Sequence, residues 1–371
     1  MSKIEKTVRE LLEPTGIEIN GTRPYDIQVH EPGFYSRALV EGELGLGESY
    51  MDGWWDCEAL DEAIYRILRA DLESQVRGNL KLFWHSLQGR FFNRQRGRRA
   101  FEVGQKHYDV GNRLYQKMLD RRMVYTCGYW RNASTLEEAQ EAKLDLVCRK
   151  VGLEPGMKVL DLGCGWGSFA KYAAEKYGVE VTGVTVSKEQ VKLGRELCAG
   201  LPVDLRLEDY REVTGTYDRV VSIGIMEHVG WKNYRSYMEV VKRTMKEDGI
   251  AFIHTIGGNT STTATTAWTN KYIFPNGMIP SISQLGRAME GLFVMEDWHN
   301  FGPDYDRTLM AWYRNFETAW PELREEYGER FFRMWRFYLL SAAAGFRSRR
   351  NQLWQIVMTR IGRPQPDCRI T

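Results

Sequence analysis

No stretch of this 371-residue chain is both uncharged and continuously apolar over the roughly 20 residues that a membrane-spanning helix needs. The N-terminus, Met1-Ser-Lys-Ile-Glu-Lys6, lacks the apolar region of a signal peptide. Cysteine is sparse: Cys57, Cys127, Cys148, Cys164, Cys198 and Cys368 are scattered with no C-x-x-C pair, so reduced thiols in a cytoplasm are expected and no metal site is. An excess of one charge is missing too. The chain has 51 basic and 49 acidic residues and a net charge of +2, so attraction to a nucleic acid or a membrane must come from local asymmetry. There is no internal repeat and no long low-complexity tract. What is present is 43% hydrophobic residues, ample for packed cores, over a length that holds two domains or one large elaborated one. The 12 Trp, 19 Tyr and 15 Phe are compatible with an apolar substrate and equally with ordinary core packing.

The most informative segment is Val159-Leu-Asp-Leu-Gly-Cys-Gly-Trp-Gly167, an apolar strand that passes through an acid into a glycine turn. Glycines at 163, 165 and 167 let the backbone turn sharply and approach a ligand, and the following 168–177 segment reads as a helix. The spacing is G-x-G-x-G rather than the dinucleotide G-x-G-x-x-G, and no acid closes the next strand, 179–186, where a nicotinamide enzyme holds its ribose. A dehydrogenase is disfavoured. Asp161 and a loop too short for a diphosphate fit a mononucleoside such as S-adenosylmethionine. A glycine-rich turn in any α/β protein remains the plain alternative.

Periodicity predicts strands at 157–162, 179–186, 203–207, 218–223 and 250–255, with helices at 168–177, 188–198 and 233–245 between them. That alternation is an α/β, Rossmann-like, doubly wound parallel sheet, with ligands at the strand carboxyl ends. Gly163 to Gly167, Thr185, Asp209, Glu227 and His254 would then surround one crevice. The polar 257–280 stretch interrupts the alternation as an insertion that would roof the crevice. A strand at 292–298, helices at 308–320 and 329–346, and a strand at 353–359 follow. Residues 1–90 read as a smaller N-terminal α+β domain with helices at 2–12 and 60–69, and the glycines of 41–56 read as turns. A basic linker, 91–104, leads to a catalytic domain over 105–371.

Between Arg77 and Arg99 stand Arg77, Lys81, Arg90, Arg94, Arg96, Arg98 and Arg99 with no acid, interleaved with Leu82, Phe83, Trp84, Leu87, Phe91 and Phe92. One face of such a segment suits a headgroup layer, with its cations on anionic lipid. An interdomain helix with a solvated basic face explains it equally well. RNA contact is a third reading, unsupported by any RNA-binding module, so no nucleic acid is expected as a partner.

Several stretches together resemble the cyclopropane-fatty-acyl-phospholipid synthases: Glu48-Ser-Tyr-Met-Asp-Gly-Trp-Trp-Asp56, His107-Tyr-Asp-Val-Gly-Asn112, Tyr125-Thr-Cys-Gly-Tyr-Trp130, Leu160 to Gly167, Met226-Glu-His-Val-Gly230, His254-Thr-Ile-Gly257, Tyr272-Ile-Phe-Pro-Asn-Gly277 and Glu296-Asp-Trp-His-Asn-Phe-Gly302. The glycine loop is common to many methyltransferases, whereas Tyr125 to Trp130 and Tyr272 to Gly277 are far more specific. The resemblance implies a class I S-adenosylmethionine-dependent methyltransferase fold. It also implies transfer of a methylene group to the cis double bond of an acyl chain in a phospholipid. The implied cofactor contacts are Tyr125, Thr126, Gly163, Gly165, Thr185, Gln190, Asp209 and Tyr210, joined by Asp161 from the loop itself; Thr126 stands where relatives usually carry serine and keeps the hydroxyl.

By the same resemblance a bicarbonate ion acts as base, held by Cys127, Glu227, His254, Ile256 and Tyr305. An alkene that takes a sulfonium methyl becomes a carbocation, and ring closure needs one proton removed by a small shielded base. Tyr272, Phe274, Tyr129 and Trp130 are candidates to stabilise that cation. Taken without the resemblance, His254 reads as a hydrogen-bonded structural residue, Glu227 as a helix cap, and Cys164 as a small packed side chain. His107, Asp109 and His228 stay outside the catalytic set, and Ala342-Ala-Ala344 leaves no thiol in the helix before the last strand. The expected partners are a phospholipid with an unsaturated acyl chain, an anionic membrane surface met peripherally from the cytoplasmic side, and a second copy in a homodimer. The competing functions are a related C- or N-methyltransferase and a non-catalytic lipid-binding protein.

Overall fold

The computed structural model describes residues 2–71 and 111–370. The basic 77–99 segment, the expected linker at 91–104, His107 and Asp109 lie outside the described residues. Two compact units emerge from the contacts within the chain. Among the described residues no helix is long and apolar enough to cross a membrane.

The first unit joins residues 2–71 to Ala264–Pro275 and Tyr305–Asn351. Its N-terminal part carries helices Lys3–Leu12, Gly33–Glu41, Glu43–Met51 and Leu60–Arg69, with a small antiparallel pair formed by β1 (Gln28–Val29) and β2 (Trp55–Asp56). Ser2 starts the first helix by accepting from the Glu5 amide. The helix Glu329–Arg347 explains why residues 305–351 group with the N-terminal residues rather than with the rest of the 105–371 span. Its apolar face buries Phe337 against Tyr50, and its arginines reach N-terminal acceptors: Arg333 to the Trp55 carbonyl at 2.8 Å, Arg336 to the Glu58 carbonyl at 2.9 Å, and Arg347 to Asp61 at 2.8 Å.

Where glycine spacing predicts turns between 41 and 56, the chain forms the helix Glu43–Met51. The glycines there serve close packing. A Cβ at Gly45 would stand 2.2 Å from the Arg37 carbonyl oxygen, and one at Gly47 only 2.4 Å from the Trp268 ring. Beside that contact Glu48 is buried and accepts from Arg37, Lys271 and, at 2.9 Å, the Tyr272 hydroxyl.

The second unit holds a seven-stranded sheet in the order β5-β4-β3-β6-β7-β9-β8. The strands are β3 (Lys158–Leu162), β4 (Glu180–Thr185), β5 (Val203–Leu207), β6 (Tyr217–Ile223), β7 (Met245–Gly258), β8 (Phe293–Asn300) and β9 (Asn351–Arg360). β3 to β7 pair in parallel, and β8 runs antiparallel to β9. Alternation splits β3 between two cores: Leu160 and Leu162 join Val184, Met226 and Tyr237 on one face, while Val159 joins Val181, Val221 and Phe252 on the other. The helix Leu136–Lys150 packs on the second face through Leu144, Val147 and Cys148. Asp161, two residues beyond Val159, shares that face.

Replacing Gly47 by Ala is expected to lower the unfolding free energy by about 1–3 kcal/mol, the usual cost of overpacking, in denaturant titrations. Gly286, inside the helix Ile282–Met289 with open space around its missing Cβ, is the control: Gly286→Ala should be neutral or stabilising by up to about 1 kcal/mol.

Candidate active site

The carboxyl ends of β3, β4, β5, β6 and β7 bring most of the expected residues to one edge of the sheet. The glycine loop after β3 is fastened by the Gly163 and Cys164 amides, which both donate to the Val184 carbonyl, at 2.9 and 3.0 Å. Gly163 has a φ of 80° and lies against Ile225, where a Cβ would come within 2.7 Å of the side chain. Gly165 differs: its φ is 56° and none of the described residues stands within 4 Å of where its Cβ would be. A side chain there would fill open space beside the loop, which is the cradle a cofactor needs.

Thr185 at the end of β4 donates to the Gln190 side chain at 2.9 Å, so two expected cofactor residues are already paired. Asp209 is engaged by the Arg211 guanidinium and by the Arg211 amide, and the adjoining Tyr210 ring packs edge-on against Tyr237 at 4.9 Å. Tyr125 packs against Tyr115, which also meets Trp166 of the loop. Thr126 lies against Gly224 at the end of β6, since a Cβ there would meet its methyl at 2.7 Å. The Gly224 amide in turn donates to the His254 carbonyl at 2.8 Å, so the Tyr125–Cys127 segment, β6 and β7 meet at one point.

Four of the five residues expected to hold an anion belong to this unit. Glu227 sits in the short helix Met226–Val229, where Oε1 accepts from the Ile256 amide at 2.6 Å. Its Oε2 is out of contact with water and has no partner among the described residues. Burial pushes this carboxyl up to about 7, against only partial relief from the Ile256 amide. His254 is 1% exposed and its Nε2 is likewise buried without a partner among the described residues. On the other side of the ring, Nδ1 lies 3.5 Å from Gln355 Nε2. With that amide as donor, the ring proton sits on Nε2. Burial, reinforced by the charges of Lys143 and Lys150, holds His254 well below the ordinary imidazole range, so it is neutral.

Cys127 is fully buried and its thiol donates to the Gly128 carbonyl at 3.1 Å. The Ile256 amide is committed to Glu227, and its carbonyl accepts from the Thr255 hydroxyl at 3.0 Å; it fixes the carboxyl rather than offering a free donor. Tyr305 belongs to the first unit, where its ring packs on Phe346 at 4.5 Å and on Trp312. Of the aromatic candidates, Tyr129 joins His254 through the shared neighbour Phe301, and the Trp130 amide donates to Asp304 at 2.7 Å. Tyr272 and Phe274 fall in the first unit.

Among the described residues, two buried polar atoms without a partner, one on a carboxyl and one on a neutral imidazole, and an open glycine cradle form the chemical signature of this edge. The family model described as mycolic acid cyclopropane synthetase matches residues 95–356. The chain belongs to that family.

Within and around the family, the chain is 52% identical over 355 residues to the cyclopropane-fatty-acyl-phospholipid synthase of Escherichia coli K12, covering 96% of this chain and 93% of that one. The solved cyclopropane synthase MmaA2 of Mycobacterium tuberculosis superposes with a TM-score of 0.66 at 30% identity, over 70% of this chain and 97% of its own. A mycolic acid cyclopropane synthase, CmaA1, solved with SAH and CTAB gives 0.65 at 30% identity over the same shares. The fold is the class I methyltransferase fold.

Sequence reasoning overlooks three residues that this cyclopropane synthetase fold places at the site. Gln355 of β9 orients His254, and Gln140 and Lys143 of the Leu136–Lys150 helix hold Thr126. The signal for the helix pair is in the sequence: Leu136, Ala139, Gln140, Lys143, Leu144 and Val147 form one helical stripe, and a glutamine and a lysine on an apolar stripe are out of place.

A carboxyl raised by burial favours its protonated state in the folded protein. Glu227 therefore contributes stability that is complete below its ordinary value of 4.5 and is lost as the pH rises through about 7. Glu227→Gln keeps the protonated shape at every pH. It should exceed the wild type in stability by under about 1 kcal/mol at pH 5 and by up to about 3 kcal/mol at pH 8, read from denaturant unfolding at the two pH values.

Proposed function

We propose that this chain transfers a methylene group from S-adenosylmethionine to the cis double bond of unsaturated acyl chains in membrane phospholipids, yielding cyclopropane fatty acyl chains. The likeness to the Escherichia coli cyclopropane-fatty-acyl-phospholipid synthase, over 96% of this chain, carries the reading. The M. tuberculosis cyclopropane synthase accounts for 70% of the chain, and the additional length shared with the E. coli protein favours a phospholipid over the mycolic acids of those relatives.

When bound, S-adenosylmethionine supplies an electrophilic sulfonium methyl, and a bicarbonate ion supplies a base compact enough to take a proton beside the reacting carbon. The open cradle at Gly165 and the buried polar atoms of Glu227 and His254 support the reading. Gly163 and Gly165 open the cradle, with Tyr125, Thr126, Asp161, Thr185, Gln190, Asp209 and Tyr210 around the cofactor. The ion would be held by Cys127, Glu227 and His254, with the Ile256 amide fixing the Glu227 carboxyl. His254, kept neutral, brings a donor to the anion without adding charge that would repel the acyl cation. Glu227, balanced near neutrality, serves as donor or acceptor of one proton and is kept in place by the Ile256 amide. Burial of both keeps water from capturing the cation as an alcohol. Phe301 beside His254, and Tyr129 packed on Phe301, offer rings worth about 0.5–2 kcal/mol each to a nearby cation.

A peripheral position on the cytoplasmic leaflet, reached through the basic 77–99 segment, belongs to the same proposal. So does a homodimer, which would present two such segments to one bilayer and gain avidity without new contacts.

Incubation with labelled S-adenosylmethionine and vesicles of an oleoyl phospholipid, followed by mass spectrometry of the released acyl chains, tests the reaction. The expected product has gained one CH₂ and lost its double bond; a labelled chain that stays unsaturated would mark a simple methyl transfer and overturn the proposal. His254→Ala and Glu227→Gln should each lower kcat by roughly 100-fold or more while changing affinity for S-adenosylhomocysteine by less than about threefold.

A further inference from the structure

Two lysines of the Leu136–Lys150 helix are wholly buried. Lys150 has an ordinary reason to be there: it pairs with Asp297 at 2.7 Å and meets His299 Nδ1 at 3.2 Å. Lys143 does not. Its Nζ donates to the hydroxyl of Thr126 at 2.9 Å, and it forms no ion pair among the described residues. An ammonium group taken out of water for the sake of one neutral hydroxyl is costly unless a further charge completes the arrangement.

The hydroxyl has one hydrogen and two lone pairs. With a lone pair given to Lys143, the hydrogen of Thr126 is left for an acceptor, and the positive charge behind the oxygen sharpens its donor character. The threonine has little freedom to do otherwise. Gln140 Nε2 holds its backbone carbonyl at 2.8 Å, and the Gly224 backbone closes on its methyl. Gln140 and Lys143 have no exposure, whereas Thr126 above them keeps some, so the helix presents the hydroxyl as a fixed, charge-backed donor. The charged and titratable groups around Lys143 are Asp120, Cys127, Asp161 and His254. Burial pushes Asp161 up to about 7 and raises Asp120, which weakens both as counter-charges, while Lys143, drawn down to about 8, stays largely cationic at neutral pH.

A donor of this kind selects an anion. Of the groups on S-adenosylmethionine, only the α-carboxylate is anionic. We infer that Lys143 is a positioning residue that recognises the cofactor's α-carboxylate through the Thr126 hydroxyl. The inference rests on the proposal that S-adenosylmethionine occupies the glycine cradle.

The test uses calorimetric titration of the full chain with two ligands that differ only in the carboxylate: S-adenosylhomocysteine and its decarboxylated analogue, S-adenosyl-3-thiopropylamine. Lys143→Met should weaken S-adenosylhomocysteine by about tenfold or more and leave the analogue within about twofold. Thr126→Val should do the same, and the double variant should lose little beyond either single one. Equal loss of both ligands in Lys143→Met and Thr126→Val, or no loss of either, would overturn the inference. If Lys143→Met does not fold, Thr126→Val with the same ligand pair still decides it. A wild-type chain that binds neither ligand would instead remove the cofactor reading itself, and this inference with it.

Discussion

Desolvation governs this site more than any single bond does. Glu227, His254, Asp161 and Lys143 all lie where water does not reach their polar ends, and each is moved toward its uncharged form chiefly by that fact. A sheet whose two faces are both covered leaves no other arrangement for groups placed at its interior strand ends. Neutrality suits the proposed reaction, in which fixed positive charge facing a cationic acyl chain would oppose it. Of the two buried lysines whose charges act on His254, Lys150 is paired with Asp297 and Lys143 is turned toward Thr126.

The backbone supports this economy of charge with few components. The Val184 carbonyl holds two loop amides, the Ile256 amide holds a carboxyl, and Gly224 links the Tyr125–Cys127 segment to β7. The first is main-chain on both sides, while the other two set a backbone group against the side chain of Glu227 or Thr126, and all three sit on the parallel register of β3, β4, β6 and β7. Side chains then differentiate the edge: an open cradle at Gly165, a paired Thr185 and Gln190, and two buried polar atoms at Glu227 and His254 without a partner among the described residues.

Much of this was legible in the sequence because the signals are local. Alternating apolar runs locate β3 to β6 within a residue or two, and glycine at every second position marks the loop. Local signals fail where the cause is distant. Gly45 and Gly47 look like turn residues, yet they are helical because Arg37 and Trp268 press on them, and Trp268 is remote in sequence. β7 runs from Met245 to Gly258, past the predicted 250–255, because its neighbours extend the pairing. Lys143 was hidden for the opposite reason: a single lysine in a helix reads as a surface residue until the stripe it occupies is seen to be buried. The roles given to Cys127, Ile256 and Tyr305 came from the resemblance alone, since nothing in their spacing announces an anion.

The first unit is assembled from three stretches of chain, and its core needs all of them: Tyr50 and Trp55 come early, Trp268 midway and Phe337 late. During synthesis the N-terminal helices therefore emerge long before the helix that completes their burial. Until about residue 347 has left the ribosome, Tyr50 and its neighbours have no lasting apolar cover, and the long-range closure this requires is slow to form. For this chain, the last-made helices decide when the first-made ones become a folded body.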